Sequence, residues 1–269
     1  MVQPERRDPP VKPKAPPGLS RLLAWGTWAM FAALIAVSAQ QTRFSLDTLF
    51  QGVPDFVRFF GRLWPPEWRA LPEIWEPIIE TIQMAYLGTV LGVALGTPLI
   101  FLASRTTTPW VPLMWVVRAF LTVVRSIPEL LYAAVLVGVL AFGPLPGVAA
   151  LTIFTMAVLA KLASETVEAI DPGPLEALRS TGATGTQVIV YGVVPQVAAT
   201  LVSFILYIFE INVRASTVLG FVGAGGIGLL LRTYLAFFDY QALALLIIAV
   251  FIVVLAIDTV SSYIRSRLI

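Results

Sequence analysis

Two residue types are missing altogether: the 269-residue chain has no cysteine and no histidine. Without cysteine there is no disulfide, no thiolate nucleophile and no zinc–thiolate site. Without histidine there is no Ser-His-Asp triad, no HExxH zinc site and no imidazole for acid–base work. Charge is scarce as well, at 13% Asp, Glu, Lys and Arg, against about 25% in a soluble domain. No GxxxxGK[ST] loop occurs, so the chain does not cradle ATP phosphates by that route. What fills the sequence instead is apolar: 58% of the residues are hydrophobic and the mean hydropathy is +0.85. That much apolar surface cannot be hidden inside one globule and has to face lipid. The expected fold class is all-α transmembrane, with six helices crossing the bilayer.

Residues 1–21 are basic and proline-rich and read as a disordered tail. Residues 22–40 form the first apolar run. Its length favours a retained helix over a signal core, although Val37-Ser38-Ala39 resembles a cleavage site. Residues 41–77 mix charge, Trp and Pro and read as an external loop, with interfacial segments anchored by aromatic residues such as Phe56, Phe59 and Phe60. The main membrane domain is expected over 78–264. Its first crossing runs from Ile78 to Ala103. The next stretch, Val111 to Phe142, is too long for one straight crossing and is divided at Pro128. A tight turn at Gly143–Gly147 leads into a crossing that ends near Leu162. Two more run from Pro195 to Val222 and from Gln241 to Tyr263.

Lys and Arg placement orients these crossings. With the N-terminus inside, the inner segments hold Arg6, Arg7, Lys12, Lys14, Arg21, Arg105, Lys161, Arg179, Arg265 and Arg267. The outer ones hold Arg43, Arg58, Arg62, Arg69 and Arg232, the first four beside acids of the 41–77 loop. Both termini, and the polar section at about 166–194, are expected in the cytoplasm.

That polar section carries helix punctuation twice. Gly173-Pro174-Leu175-Glu176 puts proline and an acid into a first turn, Gly182 supplies a stop, and Thr184-Gly185-Thr186-Gln187 has capping-box spacing. A second helix is expected to end near Gly192, before Pro195 opens the next crossing. Two short helices joined by a sharp turn make a rigid projection, where a passive loop would need only flexible polar residues.

Charge inside a crossing is costly, of order 3 kcal/mol or more at the centre. Glu210 and Arg214 are four residues apart with Asn212 between them, so the two charges can pair as a structural clamp. The other reading places Glu210, Asn212 and Arg214 along a substrate pathway, with the planar fork of Arg214 turned to an oxyanion. Arg125 and Glu129 repeat the spacing across Pro128 and read as a hinge, while Arg118 is expected to snorkel to the inner interface. Gly223, Gly225, Gly226 and Gly228 formally match GxGxxG, but a membrane helix precedes them and no acid stands at the right distance, so they read as a turn or gate. Gly88, Gly92 and Gly96 share one helix face and mark close helix packing.

Glu176-Ala177-Leu178, Gly182 and Pro195 fit the "EAA…G…P" motif, and on them the chain resembles permease subunits of bacterial ATP-binding-cassette importers. Within that group it is most similar to phosphonate-importer permeases, through Arg125–Glu129, Ala177–Ala183, Tyr191–Gln196, Phe209–Arg214 and Val218–Gly228. Leu178 replaces the motif's second alanine, and Gly192 stands where many relatives carry isoleucine. The resemblance covers about residues 78–267. It implies a five-helix type I importer core working as a homodimer with two cytoplasmic ATPases and an external binding protein. It further implies that Glu176, Ala177, Leu178, Gly182 and Pro195 belong to an ATPase-coupling element, and that a small oxyanion, phosphonate foremost, moves by alternating access. Phosphite, a phosphate ester or an amino acid are alternative solutes for the same frame. No cofactor, metal or nucleic acid is expected, and lipid is the remaining partner. A membrane-embedded enzyme is the rival class, and it lacks both histidine and carboxylates clustered in one crossing.

Overall fold

A computed structural model describes residues 17–268, with side chains from residue 24 onward, so most of the expected tail lies outside the described residues. The described residues divide into two compact units, one ending at Gly61 and one beginning at Arg62.

The first unit holds α1 (Pro17–Gln41) and most of α2 (Leu46–Arg62). The expected interfacial segment is thus one 17-residue helix. Leu49, Phe50, Val53, Phe56, Val57 and Phe60 recur at helical spacing and stand exposed, which is the pattern of a helix that lies in an interface rather than across it. Its polar side is self-paired: Gln51 Nε2 donates to Asp47 Oδ2 at 2.6 Å, and Arg58 pairs with Asp55.

In the second unit, α3 (Leu71–Ala103) begins earlier than the apolar run alone indicates. Pro72 occupies its first turn, where no backbone N–H is needed, and so starts the helix in polar sequence. Next come α4 (Val111–Ser126) and α5 (Glu129–Leu140), which meet at 84° across Ile127-Pro128. Then follow α6 (Pro144–Glu168), α7 (Gly173–Ser180), α8 (Gly185–Val188), α9 (Val194–Leu219), α10 (Gly226–Ala236) and α11 (Tyr240–Leu268). Pro144 and Pro146 open α6 rather than form a separate turn, for the same reason as Pro72. Four stretches, 68–103, 144–168, 185–222 and 240–268, are long and apolar enough to cross a membrane, and the bent α4–α5 pair makes a fifth. The all-α class and the five-helix core are as expected. α10 is a further helix that the glycine-rich sequence concealed.

The core is built on the α3–α6 contact. An added Cβ at Gly88 would come 2.6 Å from Leu151 Cβ, one at Gly92 2.6 Å from Thr155 Cγ2, and one at Gly96 3.1 Å from the Met156 carbonyl oxygen. Only glycine lets these two backbones approach so far. α9 seals the pair: Asn212 is fully buried, and its Nδ2 donates at 2.8 Å to both Thr89 Oγ1 of α3 and Thr155 Oγ1 of α6. At the far end, α10 packs Ile227 and Tyr234 against Ile74 and Ile78 of α3 and Leu243 and Leu246 of α11. Burial first, then the carboxylates of Glu73 and Asp239, raise the Tyr234 phenol above the ordinary tyrosine pKa.

Gly92→Val should therefore force α3 from α6 and cost about 1–3 kcal/mol. Thermal unfolding of the detergent-solubilised protein should show a midpoint lowered by several degrees. Gly138→Ala, at a site with nothing within 4 Å, should leave the midpoint unchanged or slightly raised.

Candidate functional site

The two-helix projection forms where the punctuation placed it. Asp171 Oδ1 accepts from the Gly173 N–H at 2.9 Å, ahead of α7. At the other end of α7, Gly182 adopts φ +84°, while Gly182 N donates to Arg179 O at 3.0 Å and Ala183 N to Leu178 O at 3.2 Å. A left-handed residue closing a helix in this way is glycine's usual position. The capping box is complete: Thr184 N donates to Gln187 Oε1 at 2.7 Å, and Gln187 N to Thr184 Oγ1 at 3.5 Å. Leu175 and Val188 point into the bundle core, while Glu176, Ala177 and Arg179 stay exposed.

The second helix does not stop at Gly192. A π-helical turn, Ile189–Val193, joins α8 to α9 without a break. Pro195 has no N–H to return to the turn before it, and the widened turn accommodates that loss. Gln196 Nε2 donates to the Gly192 carbonyl at 2.8 Å. Gly192 itself is buried, and a Cβ there would lie 3.0 Å from Leu178 Cδ1.

The projection is tied to the crossings on both sides. Glu168, the last residue of α6, accepts from the Arg105 N–H at 2.7 Å and pairs with Arg118. Arg118 is anchored on the chain itself: its Nε donates to the Ala103 carbonyl at 2.7 Å, and its guanidinium lies 6.0 Å from the Trp115 ring centre. That carbonyl ends α3 and has no partner within the helix. Gln196 Oε1 accepts from Asp171 N at 3.2 Å, and Arg179 Nη2 donates to Thr106 O at 3.4 Å. Glu168 and Gln196 gave no signal in the sequence, because each acts across a large sequence separation.

At Pro128 the chain bends as expected, but no ion pair joins Arg125 to Glu129 among the described residues. The spacing of four brings side chains together only within a continuous helix, and the 84° break removes that condition. Tyr132 Oη spans the break instead, donating to Val124 O at 2.9 Å. Gly223, Gly225 and Gly226 all have positive φ. Their loop is fastened by Gly143 N to Gly223 O at 3.0 Å, and by Gly226 N to Glu80 Oε2 at 3.2 Å. Gly228 meets Gly220 backbone to backbone.

The charges of α9 form a triad with one from the last turn of α11. Glu210 pairs with Arg214 as the spacing indicated, and its second oxygen takes Arg265 Nη2 of α11 at 3.3 Å. Arg265 lies inside a helix that continues past Tyr263 to Leu268, so it is not a tail residue. Asn212 faces away from the triad into the α3–α6 junction, and both its amide hydrogens are spent there. Among the described residues no group of His, Cys, Asp or Glu could hold a metal ion.

Residues 88–269 match the family model described as a binding-protein-dependent transport system inner membrane component. The phosphate-import permease protein PhnE of Mycolicibacterium smegmatis is 37% identical over 270 residues, which cover 100% of this chain and 49% of that protein. This chain therefore spans about half the length of that relative. The phosphite transport system permease protein PtxC of Stutzerimonas stutzeri is 36% identical over 220 residues, 82% of this chain and 80% of its own. Among solved structures, an inward-facing MetNI methionine ABC transporter superposes with a TM-score of 0.67 at 21% identity, over 76% of this chain and 99% of that one. At that identity the likeness shows the fold.

Glu168→Ala should leave Arg118 and the Arg105 N–H without their shared acceptor and loosen residues 173–180 from the bundle. With roughly 2 kcal/mol of local stability lost, amide exchange across 173–180 should quicken by about 30-fold. Unchanged exchange would show that the projection is held by Leu175 and Val188 alone.

Proposed function

The chain belongs to the binding-protein-dependent transport system inner membrane components, multi-pass transport permeases of the inner membrane, and on that premise we propose that it is the permease subunit of an ATP-driven oxyanion importer. Its partners are two cytoplasmic ATPase subunits, an external binding protein and a second copy of itself. A relative of about twice this chain's length has room for two such folds in one chain, which fits a pathway made by two copies. Its cargo is a small phosphorus oxyanion, with phosphonate the form singled out by the sequence resemblance and with phosphate and phosphite named for two relatives.

The observation that carries this reading is the α7–α8 projection. It is stiffened by the Gly182 stop and the Thr184 capping box, and it is tied to α9 through Asp171 and Gln196 and to the loop after α3 through Arg179 and Thr106. Such a body transmits displacement where a flexible loop absorbs it. Glu176, Ala177 and Leu178 face or border the surface that an ATPase would grip, and Gly182 and Pro195 fix the two ends of the lever. ATP binding draws the two ATPases together, the projections follow, and the crossings rock to open outward. The binding protein then hands over its anion, and hydrolysis restores the inward-open state. Both termini and the projection lie in the cytoplasm in this account. Arg125, Pro128 and Glu129 act as a hinge at the α4–α5 bend, and the Gly223–Gly228 loop closes the opposite end. Glu210 and Arg214 line the pathway, and Asn212 holds α9 so that they face it.

Glu176→Lys or Gly182→Asp should abolish ATP-driven uptake by the assembled importer, by more than roughly a hundredfold, with normal amounts of permease in the membrane. Gly182→Asp acts through backbone strain at positive φ, since the site has open space around it. Uptake and ATPase binding are measured together in membrane vesicles, and normal uptake in both variants refutes the lever.

A further inference from the structure

Three arginines on the membrane-crossing helices answer their charge in two different ways. Arg118 spends two nitrogens on separate partners: Nε serves the Ala103 carbonyl, Nη2 serves Glu168, and the guanidinium lies near the Trp115 ring. Arg214 and Arg265 share one partner: among the described residues each bonds through Nη2, both onto Glu210, with Arg265 adding a 3.1 Å contact to Ser262 Oγ. Among the described residues Nε and Nη1 of both guanidiniums meet no partner and can donate.

The arithmetic of charge points the same way. Glu210, 6% exposed, takes one arginine on each carboxylate oxygen, so the triad carries one positive charge more than it cancels. A clamp between α9 and α11 needs only Arg265, and a clamp within α9 needs only Arg214. A surplus cation at this level is costly unless an anion or water meets it. The level is set by Asn212, half a turn from Glu210, which bonds Thr89 and Thr155 near the middle of α3 and α6. The Arg214 side chain is 50% exposed and that of Arg265 26%, so the guanidinium edges turned from Glu210 can be reached.

We propose that Arg214 and Arg265, bridged by Glu210, form a two-guanidinium station for a tetrahedral oxyanion midway through the crossing. The proposal rests on the import reading above and deepens it by naming Arg265 as a second pathway residue. Glu210 holds both forks in position and cancels half of their charge, so that the anion is bound firmly enough to enter and weakly enough to leave. Free N–H groups of two planar forks match the oxygens of phosphate, phosphite or phosphonate, as an ammonium would not. Because the forks come from α9 and α11, an anion between them also bridges the two helices.

The test uses the complete importer, with ATPase and binding protein, in proteoliposomes supplied with phosphate, phosphite or methylphosphonate. Arg265→Gln should lower initial uptake of the transported anion roughly tenfold or more, with normal permease levels, and Arg265→Lys should give an intermediate rate. Glu210→Gln with Arg265→Gln keeps the wild-type net charge and should stay impaired, because the second fork is still missing. Arg265→Gln uptake within twofold of wild type, or recovery in the double variant, overturns the station in favour of simple charge balance. Should Arg265→Gln fail to reach the membrane, Arg265→Lys decides: reduced uptake supports the station and wild-type uptake overturns it. A wild-type importer that carries none of the three anions overturns the oxyanion reading itself, and the station with it.

Discussion

The two hydrogen bonds from Asn212 to Thr89 and Thr155 are the contact on which the rest of this bundle depends. Inside a lipid layer a polar group has no water to turn to and must be met by another group of the chain. Here one amide meets that demand for three crossings at once and so fixes their mutual register. It can do so only because Gly88 and Gly92 let α3 and α6 come within reach of the same side chain. With α3, α6 and α9 held as one body, Glu210 and Arg214 take a defined place on the outer side of α9, and α11 is drawn in through Arg265.

Partnered polar groups also shape the end of the bundle that carries the projection. Glu168 answers a backbone N–H and a guanidinium, Arg118 answers a helix-terminal carbonyl, and Gln196 answers both the Asp171 backbone and the carbonyl left by the π turn. These bonds make the projection continuous with the three-helix body rather than hinged to it. The chain bends elsewhere, at 84° between α4 and α5, and the Tyr132 hydroxyl bridges that break. In the proposed import cycle the projection serves as the lever and the bent crossing as the hinge.

Much of this was legible in the sequence because it depended on local chemistry. The crossings followed from apolar length, the α4–α5 break from Pro128, and the projection from Gly173-Pro174, Gly182 and the Thr184–Gln187 spacing. What escaped was either overridden locally or set by distant partners. Gly192 and Pro195 look like a helix end, yet a π turn carries the helix through them. Gly226 and Gly228 look like loop, yet Glu80 and Thr81 bind the first N–H groups there and start α10. Arg125 and Glu129 have the spacing of a pair and lose it to the bend. The sequence placed Asn212 beside Glu210 as a pathway residue, whereas its burial fixes it as the register bond of the bundle. Arg265 looked like a terminal positive-inside charge, and only the antiparallel packing of α11 on α9 brings it to Glu210.

The central claim is that the α7–α8 projection stands in the cytoplasm and meets a separate ATPase. Because the chain has no cysteine, a single Ala177→Cys substitution reports on that position without background. The account predicts that a membrane-impermeant maleimide labels Cys at 177 in inside-out vesicles but not in intact cells, and that added ATPase subunits protect it. Labelling from the outside of intact cells would contradict the account, since a lever on that face could never reach its motor.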